Sequence, residues 1–130
     1  MKSQIILDVR SRRILGTAHA PGSTNDLTLL RTTAPELQAH VWVIADGGYQ
    51  GYAKDHRQCC LPRRKPRGAE PDPTAKIHNR SLARFRVPIE HTIRSLKVWR
   101  ILKDTYRNRR KRFTLRFRLI AGLVNAQLER

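Results

Sequence analysis

Positive charge is concentrated in one part of this chain, and that concentration limits what the chain can fold into. Residues 54–130 carry 22 of the 27 lysines and arginines against six acids, a net of +16. Residues 1–53 carry five bases, Lys2, Arg10, Arg12, Arg13 and Arg31, against four acids, a net of +1. A compact body with such an excess repels itself unless counter-charge gathers on it. Nucleic acid is the usual neutraliser, and the counterions it releases drive binding. The first part therefore reads as scaffold and the second as a surface facing a polyanion. A ribosomal protein or a membrane-surface binder would share this balance, so charge identifies a polyanion and not an activity. The apolar fraction of 39% lies below the roughly 45–50% of ordinary globular chains. One domain is expected from the length, with part of it solvated or dependent on a partner.

Other classes are excluded more directly. No apolar run approaches membrane-spanning length, so no transmembrane segment is expected. Met1-Lys2-Ser3-Gln4 leads straight into a strand-like run without a signal-peptide core, which predicts a cytoplasmic protein. Cys59 and Cys60 are adjacent, a poor geometry for a disulfide, and no second pair stands at zinc-binding spacing. Two free thiols in a reducing cytoplasm is the preferred reading.

Hydrophobic patterning predicts the elements. Ile5, Ile6, Leu7 and Val9, then Ile14 and Leu15, flank the polar stretch Arg10–Arg13 and suit a β-hairpin. Pro21-Gly22-Ser23 breaks the pattern, and Ser23, Thr24, Asn25 and Asp26 each offer an N-cap for a helix through Leu27, Leu29 and Leu30. Pro35 opens a second short turn with Leu37 on its buried side. Val41-Trp42-Val43-Ile44-Ala45 is a nearly continuous apolar run ending at Asp46-Gly47-Gly48, which predicts a strand buried on both faces. Residues 54–76 are rich in Pro and Arg and predict a long basic loop. From Ile77 the chain turns helical, with Leu82, Phe85, Ile89, Ile93 and Leu96 forming one apolar stripe. Pro88 is expected to kink that helix or start a new one. The run Arg107–Arg112 holds five bases in six residues, and a last apolar helix follows from Phe113 to Leu128.

Two carboxylates stand out. Asp46 ends the apolar run and meets two glycines, so it would emerge at the carboxyl end of a strand, where open α/β sheets bind ligands. Taken alone, a turn or capping aspartate is the preferred reading. Glu90 shares a helix face with Arg86 at i−4, Arg94 at i+4 and Lys97 at i+7. Taken alone, that is an ordinary solvated face of helix ion pairs.

Three blocks in order resemble the insertion-sequence DDE transposases. Val43-Ile44-Ala45-Asp46-Gly47-Gly48-Tyr49-Gln50-Gly51 resembles the block around the second catalytic acid. Arg86, Glu90 and Lys97, the last two separated from Asp46 by 44 and 51 positions, match the arginine, glutamate and lysine of the family's tyrosine–arginine–glutamate–lysine signature. Pro21-Gly22-Ser23-Thr24-Asn25-Asp26-Leu27-Thr28-Leu29-Leu30 resembles the segment before the second acid, where a histidine often occupies the Asn25 position. With the terminal Ile120-Ala121-Gly122-Leu123-Val124-Asn125, the resemblance covers most of the chain. It departs at Ala83, where the signature has tyrosine. The family's first catalytic aspartate lies on a strand before the hairpin, which here begins almost at Met1. Asp8 lies within the hairpin at a position the family does not use for metal.

The resemblance implies an α/β fold, partly ribonuclease-H-like, a mixed sheet flanked by helices with its first strand missing. It implies one partial catalytic domain over 1–130: hairpin, helix and second-acid strand in 1–53, basic loop in 54–76, and helices with the glutamate in 77–130. The implied activity is metal-dependent cleavage and transfer of DNA strands at transposon ends. Two Mg²⁺ or Mn²⁺ ions held by carboxylates would serve it, one activating the nucleophile and one steadying the leaving oxygen. Asp46 and Glu90 would be catalytic acids and metal ligands. Arg86, Lys97 and Arg94 would hold DNA phosphates, and the basic stretches 63–67 and 107–112 would add nonspecific backbone contacts. Trp42 and Trp99 are expected to pack in the core or at a hinge. With the first aspartate absent, the isolated chain is expected to bind DNA but to cleave weakly or not at all. An exposed sheet edge would favour self-association or a complementary transposase segment. The competing readings are a non-catalytic basic nucleic-acid-binding protein and an inhibitor that joins full-length transposase.

Overall fold

The computed structural model describes residues 1–34, 36–70, 72–99 and 112–129. These form a mixed α/β structure that divides into two compact units, one of Met1–Gly22 with Pro88–Arg130 and one of Ser23–Val87.

The first unit is built on a hairpin. Strands β1 (Lys2–Leu7) and β2 (Ile14–Ala20) pair antiparallel, Lys2 opposite Ala20 and Leu7 opposite Ile14, with a register shift between Ile6 and Leu7. The connection lacks an Asn-Gly turn; Asp8 organises it instead. Its carboxylate accepts from the Arg10 N–H, the Ser11 N–H and the Ser11 hydroxyl at 3.2, 3.2 and 2.5 Å. These bonds, the Ser11 hydroxyl first, hold the Asp8 carboxyl below its usual range. The Asp8 N–H closes the loop on the Arg13 carbonyl at 3.0 Å. Asp8 is thus a turn-building residue.

Against β2 packs α3 (Phe113–Gln127). Phe113, Phe117, Ile120, Ala121 and Val124 recur at three- and four-residue steps and bury one stripe together with Ile14 and Leu96, while Ile5 and Leu7 pack at the margin. Burying each large apolar side chain contributes roughly 1.5–3 kcal/mol. Helix and hairpin are also joined through Asn125, whose side-chain amide hydrogen-bonds both the N–H and the carbonyl of Ile14.

In the second unit, α1 (Asp26–Thr33) is capped by Asn25, whose side chain accepts from the Leu27 N–H at 2.8 Å. Of the four expected caps, the structure selects this one, which leaves Asp26 in the first helical turn. Strands β3 (Val43–Ile44) and β4 (Cys59–Cys60) pair in parallel. Between them run two 3-10 turns, Gly47–Tyr49 and Tyr52–Lys54, separated by Gly51 at φ 101°. That left-handed conformation favours glycine. Buried His56 ties this connection back to the strand, with Nε2 2.6 Å from the Val41 carbonyl and its ring stacked on Tyr52. The Arg31 guanidinium bonds the Asp55 carboxylate at 2.8 Å.

Helix α2 (Pro73–Val98) supplies Pro73–Val87 to the second unit and Pro88–Val98 to the first. It does not break at Pro88. A proline removes one N–H from the ladder, and the rest of the ladder carries the helix through; one turn on, the Thr92 hydroxyl donates to the Pro88 carbonyl at 3.0 Å.

Four expectations are corrected. The long basic loop is shorter than 54–76: β4 lies inside it, and α2 begins at Pro73, a residue suited to a first helical turn. The apolar run 41–45 yields only a two-residue strand, and no residue of it is fully buried. Trp42 is 65% exposed and Trp99 38% exposed, so neither is a core side chain. In the α2 stripe, Leu82 and Leu96 are buried but Phe85 is exposed. The second turn expected from Pro35 rests on a residue outside the described ones, and residues 36–38 form no helix. Arg107–Lys111 also lie outside the described residues. Among the described residues no helix is long and apolar enough to cross a membrane.

Candidate active site

Asp46 leaves β3 and immediately caps the first 3-10 turn. Its Oδ1 accepts from the Gly47 N–H at 2.6 Å, and its carbonyl accepts from the Tyr49 N–H at 3.0 Å. The other oxygen, Oδ2, lies 3.4 Å from Nη2 of Arg86 on α2. The capping and functional readings of Asp46 are therefore compatible, since one carboxylate oxygen shapes the turn while the other faces a cation. Their side chains are 59% and 40% exposed. Such a pair stabilises the fold by at most about 1 kcal/mol, and its value is positional.

A second carboxylate stands behind the same turn. A Cβ on Gly48 would lie 2.5 Å from Oδ2 of Asp26, so any larger residue would require the Asp26 carboxylate to swing away. Half-buried Tyr49 registers both acids: burial first, then the negative charges of Asp26 and Asp46, push its phenol above the ordinary value. Asp26 was legible only as one of several capping residues, because its approach to Gly48 depends on tertiary structure.

The basic segment after β4 is fastened beside this turn. Gln50 Nε2 donates to the Pro62 carbonyl at 2.7 Å, and Arg64 Nη2 donates to the Gly47 carbonyl at 3.0 Å. From α2, His78 Nε2 donates to the Leu61 carbonyl at 3.0 Å. Asn79 accepts from the Arg63 N–H at 2.9 Å and donates to the Arg63 carbonyl at 3.0 Å.

Of the residues singled out from sequence, the structure brings Arg86 to Asp46. Glu90, Arg94 and Lys97 are exposed on the Pro88–Val98 part of α2. Asp46 offers a hard oxygen donor of the kind Mg²⁺ and Mn²⁺ prefer. Among the described residues, however, no group of three or more His, Cys, Asp or Glu side chains stands ready to hold a metal ion. The donor type fits such an ion and the donor number is incomplete. Cys59 and Cys60 are free and half-buried, and burial raises the Cys59 thiol pKa above its usual value.

The sequence profile of the transposase DDE domain matches residues 1–125. The chain is 38% identical over 128 residues to a probable transposase for insertion sequence element IS702 from Microchaete diplosiphon, covering 98% of this chain and 46% of that protein. It is 30% identical over 104 residues to a putative transposase for insertion sequence element IS112 from Streptomyces albus G, covering 78% of this chain and 39% of that protein. The chain thus spans under half the length of these curated relatives. No solved structure matches. On this profile and these relatives, the chain belongs to the transposase DDE domain family and is an insertion-sequence DDE transposase sequence.

Proposed function

We propose that this chain is the C-terminal part of a ribonuclease-H-like catalytic domain that binds DNA at transposon ends for metal-dependent strand cleavage and transfer. The observation that carries the reading is the Arg86–Asp46 pair: two residues 40 positions apart, each assigned to the site by its own motif, meet at 3.4 Å. Asp46 and Glu90 are the acids that would hold Mg²⁺ or Mn²⁺, and the bound ions would supply activation of the attacking hydroxyl in a phosphodiester displacement. Arg86 keeps the Asp46 carboxylate oriented and places positive charge where a phosphate would lie. Lys97 and Arg94 add exposed cations on the same helix as Glu90. The remaining donors come from a further transposase segment, in the same protein or in a partner copy.

The test is Mn²⁺ titration of the chain and its Asp46→Asn variant, alongside binding of a transposon-end duplex. A metal site predicts at least tenfold weaker Mn²⁺ binding in the variant, with duplex binding retained. Equal Mn²⁺ binding by both proteins would leave only a basic nucleic-acid-binding protein and sink the catalytic reading.

A further inference from the structure

We propose that Arg64 is a phosphate-binding residue of the Asp46 turn, fixed there to grip one phosphodiester of the bound DNA strand. The inference rests on the reading of Asp46 as part of a DNA-processing site, and it gives one arginine of the basic loop a specific place.

Four consecutive residues, Leu61 to Arg64, are each anchored. Leu61 and Arg63 are held through their backbone by His78 and Asn79 of α2, Pro62 by Gln50, and Arg64 through its guanidinium by the Gly47 carbonyl. A solvated Pro/Arg loop gains nothing from such ordering by itself, since fixing each residue costs about 1–2 kcal/mol of backbone entropy. The ordering places a guanidinium against the residue that follows Asp46. Asn79 acts on the Arg63 backbone as a neighbouring strand would, filling donor and acceptor together.

The chemistry of the two arginines at this turn differs. Arg86 faces a carboxylate, which offsets its charge. Arg64 donates to a neutral carbonyl and makes no ion pair with a carboxylate among the described residues. A guanidinium carries five N–H donors in a planar fork; one directed at Gly47 leaves others for the oxygens of a phosphodiester. Lysine could not bond the carbonyl and present a fork at once.

The experiment measures binding of the chain to a short duplex by fluorescence anisotropy over about 50–200 mM salt, for wild type, Arg64→Gln and Arg10→Gln. Arg64 and Arg10 are both exposed, so both variants are expected to fold, which circular dichroism checks. Glutamine at 64 removes the charge and is too short to keep the Gly47 bond, so the salt slope separates the roles: affinity lost at an unchanged slope would mark a purely structural Arg64 and overturn the assignment. A phosphate contact predicts about tenfold weaker binding for Arg64→Gln and a salt slope lower by about one. Arg10→Gln, on the hairpin turn and outside the basic stretches, is expected to change affinity by threefold or less. Wild-type affinity and slope in Arg64→Gln, or equal losses in both variants, would overturn the assignment while leaving the DNA reading intact. Failure of the wild-type chain to bind the duplex would overturn both.

Discussion

Asn125 pairs its side-chain amide with both main-chain groups of Ile14, accepting from the N–H at 2.8 Å and donating to the carbonyl at 2.9 Å. Residues 111 positions apart are joined as two paired strands would be, by one side chain reaching from α3 to the start of β2.

Truncating that amide leaves two partly buried backbone groups unsatisfied. Asn125→Ala is expected to destabilise the chain by about 1–3 kcal/mol. Asn125→Asp keeps the acceptor and loses the donor, so it should fall between wild type and alanine. Urea unfolding of the three proteins checks the order. An Asn125→Ala midpoint equal to wild type would show that the pair contributes nothing.

His19 predicts a pH dependence. Its ring packs edge-on against Phe113 and Phe117, with centroids 5.1 and 4.6 Å away, while Ser3 bonds Nδ1 and Nε2 is buried without a hydrogen-bond partner among the described residues. Burial first, then the positive charge of Arg118, hold its pKa below the ordinary 6.5. The unfolded chain therefore binds this proton more readily than the folded one, and stability rises with pH. The contribution of the neutral ring is present above pH 6.5 and is lost as pH falls below that value toward the folded-state pKa. Between about pH 7 and pH 5.5 the wild type should lose more stability than His19→Phe, which has no titrating ring. Parallel stability curves for the two proteins would refute the assignment.

Strand cleavage by the isolated chain is expected to be weak or absent, because the proposed site draws on two acids, Asp46 and Glu90, and two carboxylates under-ligate a pair of metal ions. Incubation with Mn²⁺ and a transposon-end duplex should give no more nicking in wild type than in Glu90→Gln. Nicking that vanishes only in the variant would show that the chain assembles a working site by itself.

Local pattern announced some elements and could not announce others. The hairpin was legible because its two apolar clusters flank a polar turn, and α3 because its buried stripe keeps helical spacing. β4 was hidden: two cysteines carry no periodicity, and the pairing of Cys59 with Val43 is set by tertiary structure. Of the two outcomes expected at Pro88, the start of a new helix does not occur, because a proline inside a long helix removes one bond of many and the rest hold the helix together. At the site, Asp46 and Arg86 were legible through their motifs, whereas Asp26 and Arg64 were not. Both reach the turn by contacts that no sequence spacing encodes.

The anchoring of Leu61–Arg64 has a consequence for how chains like this one can diverge. Beyond Arg64 the backbone turns at Pro66–Ala69, with Gly68 at φ 77° and an Ala69-to-Pro66 bond of 3.5 Å. Lengthening an open loop costs only about 0.6 kcal/mol per doubling. Insertions or deletions near residues 66–69 can therefore accumulate without displacing the arginine next to the Asp46 turn. The same four positions form a natural splice point for a reporter tag, separated from the site by a stretch of chain that is tied down.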